Sequence, residues 1–339
     1  MEQTLTIAND TLARSIVEVL QKKGFIALYA GGCVRDALLN ISPPGDIDIA
    51  TNAVPRTIAQ LFPHVVGVGE HFGVMLVITD GVPFEVATFR TDIGVLDGRH
   101  PEKVSFGSAE MDAQRRDFTV NGLFLDPSNG KILDYIEGKK DLERKIIRAI
   151  GDPNRRFEED YLRLLRAIRF SAGLSFTIEE QTWNAILANA KGIKNISQER
   201  IFQEVEKMLV GKNPHIAIEL LDKSGLLHEV LPEIEQLKGV EQPPEFHPEG
   251  DVFQHTLLAL SLLENPTPIS AWSTLLHDVG KPKTMSFSDR IRFNNHHKAG
   301  ASIAKKILRR LKASRQLVDD VSACIDNHMN FMNVQNMRL

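Results

Sequence analysis

The feature that most constrains this chain is a change of periodicity near Leu142. Before it, from about Phe25 to Thr88, the short apolar runs FIALYA, GDIDIAT, GVMLVITD and FEVATF alternate with glycine and proline. Short apolar runs bounded by such breakers read as strands, here of one sheet with helices between them. Beyond Leu142 the pattern becomes amphipathic helix almost without interruption, as in Phe157–Leu174, Ser197–Gly211 and His215–Leu227. The expected fold class is therefore α+β: a mixed-sheet head over residues 1–141, then an all-helical remainder. The proline-rich stretch Glu241–Asp251 is the best later boundary, dividing the helical part into 142–240 and 241–339. At 339 residues the chain has room for two or three cores.

Composition excludes some classes. No segment approaches the roughly 18–20 apolar residues of a membrane span, and Met1–Leu20 reads as an amphipathic helix rather than a secretion signal. The only cysteines, Cys33 and Cys324, are far apart and form no CxxC, so neither a disulfide framework nor a cysteine-based zinc site is expected. A reducing cytoplasm fits. A net charge of −4 argues against general attraction to nucleic acid, but two local stretches are basic. One runs from Lys139 to Arg169 with acids interspersed; the other, Lys298 to Arg315, contains Lys305, Lys306, Arg309, Arg310 and Lys312 and no acid. Taken alone, both read as solvated helix faces.

The sharpest chemical signal is Gly45-Asp46-Ile47-Asp48-Ile49. Strand alternation puts Asp46 and Asp48 on one face and the isoleucines on the other. Paired hard oxygen ligands suit Mg²⁺, which is held by one or two carboxylates plus substrate phosphates, and two such ions activate an attacking hydroxyl and neutralise a leaving pyrophosphate. An isolated DxD is more often a solvated strand edge, but here its surroundings count. Just upstream, Gly31-Gly32 lies at a strand-to-helix turn with Arg35 following, where a backbone can approach a phosphate. Glu85 is a candidate third acid.

The order Gly-Gly-x-Val-Arg-Asp-x-Leu-Leu, then DxDxxT, resembles the class II tRNA nucleotidyltransferase (CCA-adding) and bacterial poly(A) polymerase family. Arg115-Arg116-Asp117-Phe118-Thr119-Val120-Asn121 is similar to the family's RRDFTxN segment, Asp134–Gly138 to its DxxxG hinge, and Glu159–Arg163, with Arg166, to its EDxxR element. The resemblance covers roughly residues 25–210. It implies a polymerase-beta-like nucleotidyltransferase head, nucleotide contacts from Gly31, Gly32, Arg35, Arg115, Arg116, Asp117 and Asn121, and catalysis at Asp46, Asp48 and Glu85 with two Mg²⁺. CTP, ATP and the tRNA 3′ end are the expected partners. Asp160 and Arg163, read as i,i+3 on one helix, match the amino-donor and ring-acceptor edge that cytosine and adenine share; by themselves they could equally be an intrahelical ion pair. Ser197 reads as a helix cap, with Glu199, Arg200 and Glu204 as structural support. The loop Arg90–Phe106, with Asp97-Gly98-Arg99 and His100, looks full length, which leans toward complete CCA addition over CC-only, A-only or poly(A) addition.

His255, His277-Asp278, His296 and His328 follow the order of the HD superfamily of metal-dependent phosphohydrolases, which implies a helical HD domain and a divalent transition metal or Mg²⁺. Asn295-His296-His297 stands where relatives often carry Gly-His-Glu, and no clear final acid precedes Leu339; Asp326 is nearest. Two alternatives stay open: a partial site, or a last ligand and an RNA-elbow-binding tail beyond Leu339. An HD phosphohydrolase whose head merely binds a nucleotide or RNA, or a noncatalytic RNA-binding module, are the rivals of another class.

Overall fold

The computed structural model describes residues 10–41, 46–69, 72–95, 101–245 and 247–330. Two compact units emerge: Met1–Asp160 with Thr177–Thr182, and Tyr161–Phe176 with Trp183–Leu339.

The first unit is built on a seven-stranded mixed sheet. In chain order it runs α1 (Thr11–Lys22), β1 (Ala27–Ala30), α2 (Gly32–Leu38), β2 (Asp48–Thr51), α3 (Pro55–Leu61), β3 (Val65–Gly69), β4 (Val74–Thr79) and β5 (Val82–Thr88). There follow β6 (Arg90–Val95), β7 (Pro101–Phe106), α4 (Ala109–Gln114), β8 (Phe124–Asp126), β9 (Lys131–Leu133), α5 (Gly138–Arg144), β10 (Ile146–Ile147) and α6 (Pro153–Glu159). The sheet order is β3-β4-β5-β2-β1-β8-β9. Only β2 and β5 pair parallel, because α3, β3 and β4 intervene and carry the chain back. All four strand segments expected from the sequence are in this sheet, although β4 and β5 are joined by a hairpin rather than a helix. One packed cluster joins Leu28, Ala30, Ala50 and Phe124 of the sheet, and Phe89 just after β5, to Ala109 and Ala113 of α4. The loop expected over Arg90–Phe106 is instead a separate antiparallel ribbon, β6 against β7; its tip, with Asp97, Gly98, Arg99 and His100, lies outside the described residues. A two-stranded parallel pair, β10 with β11 (Thr177–Ile178), completes the unit.

The second unit is helical: α7 (Leu162–Leu174), α8 (Glu180–Asn189), α9 (Gln198–Leu209), α10 (Pro214–Lys223), α11 (Leu226–Val230), α12 (Pro232–Glu235), α13 (Val252–Ser261) and α14 (Pro268–Leu276). Then come α15 (Lys281–Thr284), a hairpin of β12 (Met285–Phe287) and β13 (Ile291–Phe293), α16 (His296–Arg310) and α17 (Arg315–Asn327). Thr267 and Ser270 form a reciprocal capping box with Pro268 behind it, starting α14 firmly; such a cap contributes about 1 kcal/mol. Trp272 of α14 is fully buried and stacks on Phe202 of α9 at 5.6 Å, while its indole N–H donates to Glu206 at 3.3 Å. This anchor holds the helix that ends at His277.

The helix read over Phe157–Leu174 is broken. Asp160 has extended backbone (φ −157°, ψ 103°) between α6 and α7, at the residue where the chain leaves the first unit. Asp160 and Arg163 therefore do not share a continuous helical face, which corrects the i,i+3 reading. Helical periodicity runs through both segments, and only the packing of each into its own unit reveals the break.

Candidate functional site

Asp48 opens β2 opposite Ala30, at the end of β1. The parallel register Ile49↔Val86 sets Asp48 beside Glu85. Ile49 is fully buried and Asp48 half-buried, as alternation requires, whereas the exposed Asp46 precedes the ladder. Burial and the charge of Glu85 push Asp48 up to about 6; Asp46 adds to the rise and Arg116 opposes it. Glu85 and Asp46 thus act on Asp48 with Arg116 against them. A divalent cation would relieve that repulsion, so the donor set fits a hard ion.

Gly31, with φ +76° and ψ −131°, makes the turn from β1 into α2. That backbone is open to glycine, and a Cβ there would come within 2.9 Å of Arg116 Nη1 and 4.0 Å of Asp48 Oδ2. The turn therefore lets Arg116 lie against the backbone beside Asp48. Gly32 begins α2, and a Cβ on it would lie 3.6 Å from Arg35. Arg35 donates to Asp36 at 2.8 Å and to Asn121 Oδ1 at 2.6 Å, and the Asn121 amide donates to Asp117 at 3.1 Å. Arg116 donates to the Asn121 carbonyl at 3.2 Å and to Asp112 at 3.0 and 3.2 Å, and lies 5.0 Å over the Phe124 ring. Arg115 donates to the other Asp112 oxygen at 2.8 Å. Gly31, Arg35, Arg115, Arg116, Asp117 and Asn121 are thus one network at the carboxylate edge. The buried Asp112, which holds both arginines, was missed by sequence reading, although its i,i+3 and i,i+4 spacing to them on α4 is a usable signal.

In the DxxxG segment, Asp134 accepts from the backbone N–H groups of Ile136, Gly138 and Lys139 at 2.9–3.1 Å, satisfying the start of α5. Arg163 and Arg166 lie on α7, with Arg166 5.2 Å over the Phe170 ring. Ser197 occupies the N-cap position of α9 but its side chain does not cap; Glu204 is buried and accepts from Arg169 at 2.6 Å.

The helical unit gathers His255, His277, Asp278, His296 and His328 around one carboxylate. Asp278 Oδ2 stands 3.0 Å from His277 Nε2, 3.8 Å from His255 Nε2 and 2.7 Å from Lys281 Nζ; its Oδ1 stands 3.4 Å from His296 Nε2. His296 and His328 bring their Nε2 atoms to 3.2 Å. The Nδ1 atoms of His277, His296 and His328 bond the carbonyls of Thr274, Phe293 and Ile325 at 2.7–2.8 Å, which leaves each Nε2 for a ligand. Although burial penalises its charge, Asp278 is held well below the usual carboxylate range by His277 and Lys281. Burial lowers His255, His296 and His328; for His277 burial is outweighed by Asp278 and the group is raised. Buried Asp278 Oδ2 has ion-pair neighbours but no well-aligned hydrogen bond. Such an oxygen among imidazoles fits a metal ion.

Close packing makes this cluster possible: a Cβ on Gly280 would meet the His296 carbonyl at 2.1 Å, so glycine lets the His-Asp turn lie against α16. Asp326 is exposed and belongs to no metal-capable group among the described residues. The second acid is Glu249, which bonds His255 Nδ1 at 2.6 Å and His247 at 3.0 Å and is held down at about 2 against the cost of burial. In the sequence it stands within the proline-rich boundary Glu241–Asp251, and its position six residues before His255 is the available clue.

A mixed-sheet head with a carboxylate edge beside arginines, and a helical unit with an imidazole-rich cluster around a His-Asp pair, have the make-up of a nucleotidyltransferase-type head and an HD-type domain. The Poly A polymerase head domain matches residues 27–148, the probable RNA- and SrmB-binding site of polymerase A residues 175–238, and the HD domain residues 252–338. The CCA-adding enzyme of Pediococcus pentosaceus is 40% identical over 269 residues, covering 78% of this chain and 64% of that protein. That of Geobacillus sp. (strain WCH70) is 44% identical over 215 residues, 63% of this chain and 53% of that protein. The crystal structure of Bacillus stearothermophilus CCA-adding enzyme in complex with CTP superposes with a TM-score of 0.75 at 30% identity, over 96% of this chain and 71% of that one. The chain belongs to the CCA-adding enzyme family of tRNA nucleotidyltransferases. It spans about half to two thirds of the length of the curated relatives it matches. No helix among the described residues is long and apolar enough to cross a membrane, and Cys33 and Cys324 are both free thiols.

Proposed function

We propose that the protein adds CMP and AMP from CTP and ATP to the 3′ end of tRNA, releasing pyrophosphate. The observation that carries this reading is the crowding of Asp46, Asp48 and Glu85 beside the Gly31 turn and Arg116. Asp46 and Asp48 would hold Mg²⁺, which when bound activates the RNA 3′-hydroxyl and neutralises the leaving phosphates. Arg116, kept in place by Asp112, would face the triphosphate, and Arg35, Asp117 and Asn121 brace the same edge. On α7, Arg163 supplies a guanidinium donor for the edge of a base, with Arg166 one turn along the same helix. Residues 142–240 serve as neck and RNA-binding body, and 241–339 as the HD domain. Grip on RNA phosphates makes binding salt-sensitive. Cytoplasmic residence goes with this activity, and the two free thiols support it.

The test is incorporation of labelled CTP, ATP, UTP and GTP onto tRNA ending at the discriminator base, at C and at CC, with an Asp46→Ala/Asp48→Ala control. Ordered C, C, A addition that stops is the expected result. C alone, A only on CC, or long A tails would reassign the product, and no incorporation at all would sink the reading.

A second reading concerns the HD domain. The converging Nε2 atoms around buried Asp278 support a bound divalent metal and hydrolysis of phosphoesters. If His277→Ala binds as much metal as the parent, this reading fails.

A further inference from the structure

We propose that Arg156 is a positioning residue for nucleotidyl transfer: it fixes the main chain from which Arg115 and Arg116 project. This rests on the reading that Arg116 meets the triphosphate, and adds what holds the backbone of that arginine. Arg156 lies on α6, 41 residues along the chain from Arg115, and its side chain is only 13% exposed. Its Nη2 donates to the Gln114 carbonyl at 2.8 Å and its Nη1 to the Arg115 carbonyl at 3.1 Å. Nε donates to the Ile150 carbonyl at 3.0 Å, and Nη1 also donates to Glu159 at 3.0 Å.

The two acceptors at the end of α4 are of the kind a helix cannot satisfy for itself. α4 ends at Gln114 with Arg115 as its C-cap, so both carbonyls lie beyond the reach of the helix's own ladder. A cation is favoured at that end. A guanidinium serves both carbonyls and that of Ile150 together because its donors form a fixed planar fork, whereas an ammonium offers its donors from a single point.

The backbone beyond the pair is fastened too. Phe118 bridges Ala149, the Ile150 N–H donates to the Asp117 carbonyl at 3.1 Å, and the Thr119 N–H donates to the Arg148 carbonyl at 3.0 Å. Arg115 and Arg116 therefore stand between two anchors, Arg156 at the 114–115 carbonyls and the 148–150 segment at residues 117–119. Ile150 joins the anchors, since its N–H bonds Asp117 and its carbonyl bonds Arg156. Asp112 holds the guanidinium ends; Arg156 holds the peptides they grow from. With the ends alone held, the peptide between Arg115 and Arg116 is free to turn and carry Arg116 away from the Gly31 turn beside Asp48. A misplacement of about 1 Å, caused by a residue that touches no substrate, can cost about a hundredfold in rate.

The experiment measures CMP addition to tRNA ending in C by the parent chain, Arg156→Lys, Arg116→Lys and the double variant, with kcat and KM for CTP separated. Urea midpoints are taken on the same four proteins. Arg156→Lys is expected to lower kcat/KM by roughly ten- to a hundredfold. In the Arg116→Lys background the same change should lower it by less than about threefold, because residues acting through one contact are not additive. Equal fold-losses in both backgrounds overturn the positioning role and leave a purely structural one, and so does parental kcat/KM in Arg156→Lys. No CMP addition by the parent overturns nucleotidyl transfer itself, and the positioning role with it. If Arg156→Lys fails to fold, Glu159→Gln removes the charge beside Nη1 while keeping an acceptor there. A loss seen with Arg116 and absent with Arg116→Lys then supports the role, and equal losses overturn it.

Discussion

The head and the HD domain each gather ligands suited to divalent cations, in opposite electrostatic settings. In the head, half-buried Asp48 stands near Glu85 and Asp46, and burial, with the charges of those two acids, lifts it to about 6. In the HD domain one buried carboxylate is surrounded by Lys281 and imidazoles and is held far below its ordinary value. The first sets acid against acid with Arg116 opposing; the second has its acid set among cationic and imidazole groups. A site that must take up and release a charged substrate each turn gains from an open, unsatisfied edge, whereas a resident ion is held by a closed, oriented shell.

The comparison breaks most sharply by double replacement. Asp46→Ala/Asp48→Ala should cut nucleotide incorporation on the order of a thousandfold or more, since several kcal/mol of charge stabilisation are lost. His277→Ala should leave incorporation unchanged while lowering HD-bound metal, measured by elemental analysis after dialysis. Any crossed effect would mean that the two centres are not independent.

Asp48→Asn should sharpen the contrast through stability. The folded-state value near 6 lies above the ordinary 3.8, so between pH 4 and 6 the folded protein holds a proton that the unfolded chain has released. Stability from this group is therefore lost as pH rises through that window. Above pH 6, without metal, ionised Asp48 costs up to about 3 kcal/mol. The Asn variant, although inactive, should be more stable than the parent at pH 7 in chelator, and the gain should vanish near pH 4 or below. Urea titrations at both pH values check this; a destabilised variant at pH 7 would show that Arg116 outweighs the acids.

Gly280→Ala should cost about 1–3 kcal/mol, because the new methyl group has no room beside the His296 carbonyl. It should weaken HD metal binding and spare incorporation, measured as a Kd for Mn²⁺ beside the rate of CTP addition. Asp326→Asn should be the smallest effect, within about 0.5 kcal/mol in stability and without change in metal content, as befits an exposed carboxylate outside the cluster.

Much of the head was legible because its signals are local. Alternation around Ile49 marked the strand, and Gly31-Gly32 marked a turn whose positive φ only glycine tolerates well. The HD histidines were legible by type and order. Other features were not. The break at Asp160 is invisible to periodicity, since Phe157 and Leu162 are both buried and the pattern runs through the junction. The ribbon over Arg90–Phe106 carries no long apolar run and so read as a loop.

By itself, then, the sequence determined the apolar strands of the head's sheet, the helical character of the remainder and which residue types can carry phosphate and metal chemistry, because backbone preference and side-chain type act over a few neighbours. Only the tertiary structure decided which groups meet: Asp112 beneath two arginines, Glu249 rather than Asp326 at the HD cluster, and Asp278 with one oxygen toward each pair of histidines. These choices depend on how helices and strands distant in sequence pack. The absence of room for a side chain at Gly280, or the anchoring of Trp272, places a ligand in a way no local rule can foresee.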